Sequence, residues 1–296
     1  MMAYAPIVLF VYNRSWHTKR TIEALQKNEL AGESELYIYS DAPKNKEDEK
    51  RVREVRSYIH KIDGFKKVTI IEREKNLGLA GSIIDGVTKV VNEYGKVIVL
   101  EDDLVTSPYF LRFMNDALEY YEDEKRVWHI SGWNYPIKIK TEETNRVFLW
   151  RVMNCWGWAT WADRWQFFEK DTEKLMREFS NEAIRKFNLD GVENFWEQVV
   201  LNKEGKIDTW AIYWYATIFK QQGLCLNPVR TFVDNIGFDG SGVHCSKKSF
   251  VDNIQTEYSI QFTKNIEETE VYTKAIKKYL RKGILTRVKR LIPIWK

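Results

Sequence analysis

Along the first 130 residues, short apolar runs alternate with longer amphipathic stretches. Ile7–Val11 (IVLFV), Glu35–Ser40 (ELYIYS), Lys67–Glu72 (KVTIIE), Lys96–Glu101 (KVIVLE) and Val127–Ser131 (VWHIS) have the length and the β-branched or aromatic content of strands. Between them, residues 16–28, about 45–62 and 78 to about 93 carry helical patterns, and a further helix is expected from Pro108. Proline suits a first helical turn, where its missing N–H has no partner to lose. Strands alternating with helices imply βαβ units and a mostly parallel sheet flanked by helices, a Rossmann-like α/β fold. Ligands of such sheets bind beyond the carboxyl ends of the strands. The residues just after each strand are therefore the first candidates for chemistry.

These post-strand segments are polar. The first strand leads to Tyr12-Asn13-Arg14-Ser15, the second to Ser40-Asp41-Ala42-Pro43, the third to Arg73-Glu74-Lys75-Asn76-Leu77-Gly78 and the fourth to Glu101-Asp102-Asp103. In an extended chain Glu101 and Asp103 face one side and Asp102 the other. Three adjacent carboxylates ionise together only where a cation or water offsets them. Mg²⁺ or Mn²⁺ answers that need: it takes one or two protein carboxylates and completes its shell with water and substrate phosphates. The plainer reading is a solvated strand end.

Composition narrows the class. The chain has 296 residues, 44% hydrophobic and 30% charged, as in a soluble globular protein with a sizeable core. Cys155, Cys225 and Cys245 form no CxxC pair, which argues against a disulfide framework or a structural zinc site and suits a reducing cytoplasm. The N-terminal apolar run is too short for a signal peptide or a membrane span, so a cytoplasmic protein is expected. The net charge of +4 is unevenly placed: residues 272–296 hold nine Lys and Arg and no acid, and the remainder has 37 bases against 42 acids. A body without a basic excess disfavours nucleic-acid binding.

Beyond residue 131 the alternation breaks down into aromatic-rich segments, LWRVMNCWGWATWADRW (149–165) among them. Most of Trp150, Trp156, Trp158, Trp161 and Trp165 are expected in the core, with one or two free to line a substrate groove. The division expected is a first half over 1–135 that carries the polar rim, a substrate-facing half over 136–250 and a basic helical tail over 251–296. No linker separates the halves, so they should form one continuous unit.

VIVLEDDLVTSPYFLRFM followed by VWHISGWN resembles the donor- and metal-binding segment of GT-A glycosyltransferases, most of all the N-acetylglucosaminyltransferase I family. An EDD version of the DXD motif ends a strand there, a proline-started helix follows, and a Ser-x-Trp-Asn-type segment comes after the next strand. The resemblance implies a metal ion on Asp103 bridging the donor diphosphate, with Glu101 and Asp102 on the donor sugar or ribose. It further implies Asp41 on the uracil edge and Arg14, with Asn13 beside it, near the base or phosphate. The Asn76-Leu77-Gly78 turn would approach the nucleotide. An ordinary turn aspartate and a helix-start glycine are the plainer readings of Asp41 and Gly78.

The chemistry so implied is inverting glycosyl transfer, which needs a single base to deprotonate the acceptor hydroxyl. The family's base lies in an acid-acid-Trp segment. KIDTWAIYW (206–214) is the closest stretch, with Asp208 beside the expected position and Thr209 on it; Asp163 and Asp239 are alternatives. The Gly- and Asp-rich segment 227–245 suits a lid in which His244 contacts phosphate or metal, or else a plain surface loop. In the tail, Ile276, Leu280, Ile284, Val288, Leu291 and Trp295 make one apolar stripe flanked by Lys and Arg. Such a helix suits an anionic membrane surface carrying a lipid-linked saccharide acceptor, or else docks on the acidic body. A nucleotidyltransferase would want a Gly-rich or lysine-bearing loop after the first strand, which YNRSWH does not supply. A carbohydrate-binding protein has no use for the acid triplet.

Overall fold

A computed structural model describes residues 4–138, 141–238 and 254–290, the last nine of these as backbone. The first half runs β1 (Ile7–Val11), α1 (Ser15–Gln26), β2 (Glu35–Ser40), α2 (Lys46–Ile59), β3 (Lys67–Glu72), α3 (Gly78–Tyr94), β4 (Lys96–Glu101), β5 (Leu104–Thr106), α4 (Phe110–Tyr120) and β6 (Val127–Ser131). The second half adds β7 (Val147–Trp150), β8 (Trp158–Trp161), α5 (Ala162–Trp165), α6 (Thr172–Glu178), α7 (Asn181–Phe187), α8 (Trp196–Lys203) and α9 (Ala211–Lys220). It closes with β9 (Leu224–Pro228), β10 (Val233–Asn235) and α10 (Glu270–Arg290).

Eight strands form one sheet in the order β3-β2-β1-β4-β8-β6-β9-β7. β3, β2, β1 and β4 are mutually parallel; β8 runs antiparallel between β4 and β6, and β7 lies antiparallel on β9. The mostly parallel α/β architecture expected from the pattern is therefore present. Successive side chains divide between two cores, as a period of two requires. Val8, Phe10, Val97 and Val99 pack with α3 on one face. Ile7, Leu9, Val11, Ile98 and Leu100 pack with α1, α2 and α4 on the other.

Local signals set the helix ends. Asn45 caps α2 by accepting from Asp48 N at 3.0 Å, and Glu47, Asp48 and Glu49 complement the positive end of its dipole. Gly95 ends α3 in the left-handed conformation (φ 79°) that favours glycine.

One feature departs from the sequence-based expectation. Pro108 lies in a turn, and α4 starts two residues later at Phe110. The gap between the acids and that turn holds β5, which pairs antiparallel with β10 and so draws the segment around residue 235 onto the acid turn. The sheet runs without a break past residue 135, because β7, β8 and β9 of the second half join it.

Trp150, Trp158, Trp161 and Trp165 are buried in the core, while Trp156 is half-buried. In α10, Ile276 is fully buried and Leu280 packs against the same core, so the first two positions of the apolar stripe are spent on the body. Lys277 pairs with Asp190 at 2.6 Å beside the Arg151–Glu268 ion pair. The side chains of Ile284 and Val288, together with Leu291 and Trp295, lie outside the described residues. Among the described residues no helix is long and apolar enough to cross a membrane.

Candidate active site

The rim at the carboxyl ends of β1, β2 and β4 gathers most of the polar candidates. Glu101 is the last residue of β4, and Asp102 and Asp103 form the turn into β5. Arg14, at the entrance to α1, reaches this turn: its Nη2 donates to Asp102 Oδ1 at 2.6 Å and to Asp103 Oδ2 at 2.7 Å. Two further bonds fix the frame. Thr18 Oγ1 donates to the Arg14 carbonyl at 2.9 Å, and Thr21 Oγ1 to the Asp102 carbonyl at 2.8 Å, so successive turns of α1 hold both partners.

The electrostatics follow from burial and proximity. Burial and the charges of Asp103 and Asp102 push the Glu101 carboxyl up to about 8, with Arg14 opposing. Asp102 is also raised by burial, against the attraction of Arg14. Burial works against the charge of Arg14, but the two aspartates outweigh it and hold the proton more tightly than in a free arginine. The burial that raises the Cys155 thiol is reinforced by Glu101 and Asp103, so the loop before β8 runs beside the acids.

The far side of Asp103 is closed by the segment after β10. Ile236 N donates to the Asp103 carbonyl at 2.9 Å, and a Cβ on Gly237 would collide with Asp103 Oδ2. Any side chain there would force the Asp103 carboxylate to move. Sequence reasoning passed over both Cys155 and Gly237; the glycine had a signal in NIGFDG, but its target is visible only once β10 is seen to pair with β5.

Asp41 sits at the neighbouring strand end, buried, with Oδ1 accepting from Ala42 N at 2.9 Å and Leu77 N at 3.0 Å. Asn76 Nδ2 donates to the Ala42 carbonyl at 2.6 Å, and Gly78 opens α3 with φ 68°. The Asn76–Gly78 turn is thus tied directly to Asp41. Asn13 turns the other way: its Nδ2 donates to Asp48 Oδ1 at 2.8 Å, while Tyr12 Oη donates to Asp48 Oδ2 at 2.9 Å. In this geometry Asn13 braces the first loop against α2.

The base candidates are dispersed. Asp208 is exposed and pairs with Lys170, with no hydrogen bond to the acid turn; the nearby Trp210 stacks on Trp158 at 5.1 Å. Asp163 is at the wrong end of the sheet. It follows Trp161, which pairs with Lys96 at the start of β4, and it binds Arg164 and Lys125. Asp239 and His244 lie outside the described residues.

Among the described residues no group of three or more His, Cys, Asp or Glu gathers around one point, but Asp102 and Asp103 both aim an oxygen at a single positive group, the guanidinium of Arg14. Their all-oxygen donor set suits a hard divalent ion.

Residues 7–164 match the family described as glycosyl transferase family 2, which covers more than half of the chain. The chain belongs to glycosyl transferase family 2. The matched region holds Arg14, Asp41 and the whole acid turn. The match names glycosyl transferase family 2; the finer likeness to the N-acetylglucosaminyltransferase I group belongs to the motif order alone.

No curated protein matches. Among solved structures, S. aureus TarS is 14% identical over 49% of this chain and 24% of its own length, with a TM-score of 0.34. TarS residues 1–349 align at 10% identity over 78% of this chain and 59% of that one, with a TM-score of 0.41. The chain therefore spans less than two thirds of either TarS structure. Mannosyltransferase PcManGT from Pyrobaculum calidifontis, in complex with GDP-Man and Mn2+, aligns at 11% identity over 74% of this chain and 70% of its own, with a TM-score of 0.40.

Proposed function

We propose that this glycosyltransferase moves a sugar, with inversion, from a uridine diphosphate sugar held with Mn²⁺ or Mg²⁺ to a glycan or lipid-linked saccharide. The observation that carries the reading is the convergence of Asp102 and Asp103 on one positive group at the carboxyl end of β4, where sheets of this kind bind ligands. Asp103 would hold the metal, which when bound offsets charge on the departing diphosphate. Glu101 and Asp102 would take hydroxyls of the donor sugar or ribose.

Asp41 suits the base edge. Its carboxylate is anchored by Ala42 N and Leu77 N, and its remaining lone pairs accept the one N–H that uracil offers. The Asn76–Gly78 turn follows the nucleotide because the same bond to Leu77 N positions it. His244 belongs with the diphosphate in this reading.

Asp208, beside the position at which the resemblance puts the base, is the base in this reading. In that role it releases Lys170 when an acceptor hydroxyl arrives. The test is a screen of nucleotide sugars for slow hydrolysis with Mn²⁺ and no saccharide, followed by transfer to saccharide acceptors. PcManGT is in complex with GDP-Man, so that donor belongs in the screen beside the uridine ones. The wild type should consume one uridine diphosphate sugar. Asp208→Asn should keep nucleotide affinity and lose transfer by about a hundredfold or more. Transfer at the wild-type rate would remove Asp208 from the mechanism; donor turnover unaffected by chelation would remove the metal.

A further inference from the structure

A metal on Asp103 would have to share the carboxylate with Arg14, and the inference drawn from this rests on the metal-dependent reading above. We propose that Arg14 and the divalent ion compete for the oxygens of Asp102 and Asp103, and that the donor diphosphate settles the competition by drawing the guanidinium onto its phosphates. Arg14 is then a positioning residue that makes metal binding conditional on nucleotide binding.

The geometry leaves little alternative. Arg14 Nη2 takes Asp102 Oδ1 and Asp103 Oδ2 at 2.6 and 2.7 Å. Asp103 is also packed on its far side. The Gly237 backbone lies against Oδ2, and the Asp103 carbonyl is held by Ile236 N at 2.9 Å. A dication on the same oxygens would stand in contact with the guanidinium, where partial burial weakens solvent screening of their repulsion. The backbone of Arg14 is pinned, since its carbonyl accepts from both Thr18 N and Thr18 Oγ1 at 2.9 Å. Relief therefore comes from the side chain, which is long enough to swing while its carbonyl stays fixed. A guanidinium fork is shaped for phosphate oxygens as well as for carboxylates. A diphosphate arriving with the metal thus gives Arg14 a replacement partner, and by linkage each ligand strengthens the other by the same factor.

The experiment is a Mn²⁺ titration, followed by the electron paramagnetic resonance of the free ion, on wild type and Arg14→Gln, each with and without UDP. In the wild type, Mn²⁺ alone should bind weakly, and UDP should improve its affinity at least tenfold. Arg14→Gln should bind Mn²⁺ alone about tenfold more tightly than the wild type and lose most of the gain from UDP. An Arg14 that merely props up the acid turn gives the opposite sign: the variant binds Mn²⁺ no better, or worse, and that result overturns the proposal while leaving metal use intact. Absence of Mn²⁺ binding to either protein, with or without UDP, overturns the metal-dependent reading together with this inference. If Arg14→Gln fails to give a cooperative thermal transition, Arg14→Lys carries the test, because a lysine point charge cannot fork across two carboxylates. It should show the same changes in smaller measure, and wild-type values for it would overturn the proposal.

Discussion

His129 stands in β6 with both ring nitrogens engaged: Nε2 lies 2.9 Å from the Asn154 carbonyl, and Trp214 Nε1 donates to Nδ1 at 3.2 Å. The carbonyl fixes the proton on Nε2 and the ring neutral. Burial pushes its pKa down to about 3, partly offset by the bond to Asn154. A depressed histidine pKa means that the unfolded chain binds the proton first, so the contribution to stability is complete above pH 6.5 and is lost as the pH falls towards 3. His129→Gln keeps a donor for Asn154 and an acceptor for Trp214 but cannot titrate. Its stability in urea should fall less steeply than that of the wild type between pH 6.5 and 4; parallel curves would show that His129 titrates normally. Asn154 precedes the Cys155 that feels Glu101 and Asp103, so this histidine helps to seat the loop beside the acids. Nothing adjacent to His129 in the sequence reveals that role. Arg14 is a similar case: it was legible as a rim residue, but its hold on Asp103 joins positions 89 apart and depends on how α1 is set against β4.

At the scale of elements, the acid turn is defined by what pairs across it. β5 has three residues, too few for a periodicity, and it exists because β10 lies alongside. β1, β2, β4 and β6 were readable because strands buried on both faces give continuous apolar runs bounded by polar residues, and β3, half-buried at the sheet edge, because of its β-branched run. β7, β8 and β9 were not readable as strands, since aromatic and polar residues mask any period and their partners are set by the sheet already formed. Gly237 shows the consequence for the site. Gly237→Val places side-chain atoms against Asp103 Oδ2. It should lower stability by about 1–3 kcal/mol, as overpacking does, and weaken nucleotide affinity in Mn²⁺. Thermal melts and UDP titrations check both; an unchanged affinity would separate the β10 segment from donor binding.

For the whole molecule, the sheet order brings Arg14, Asp41 and the acid turn to the ends of β1, β2 and β4 and puts the tryptophan-rich half on the strands beyond, with no break between them. The tail shows where periodicity stops being informative. A stripe of Ile276, Leu280 and their successors reads alike whether it meets a bilayer or a protein core, and the structure gives its first two members to the core. Ile276→Ala should therefore destabilise the body by about 2–5 kcal/mol, as cavity-forming changes do in a packed interior. Urea denaturation measures this, and a loss within error of zero would mean that α10 does not dock.

The proposed function turns on a bridge from Asp103 through a divalent ion to the donor diphosphate. Calorimetric titration of UDP into wild type and Asp103→Asn, each with Mn²⁺ and with chelator, tests that bridge most directly. Wild-type affinity should fall at least tenfold in chelator, and the variant should bind equally weakly in both conditions. Equal affinity of the two proteins in Mn²⁺ would contradict the bridge.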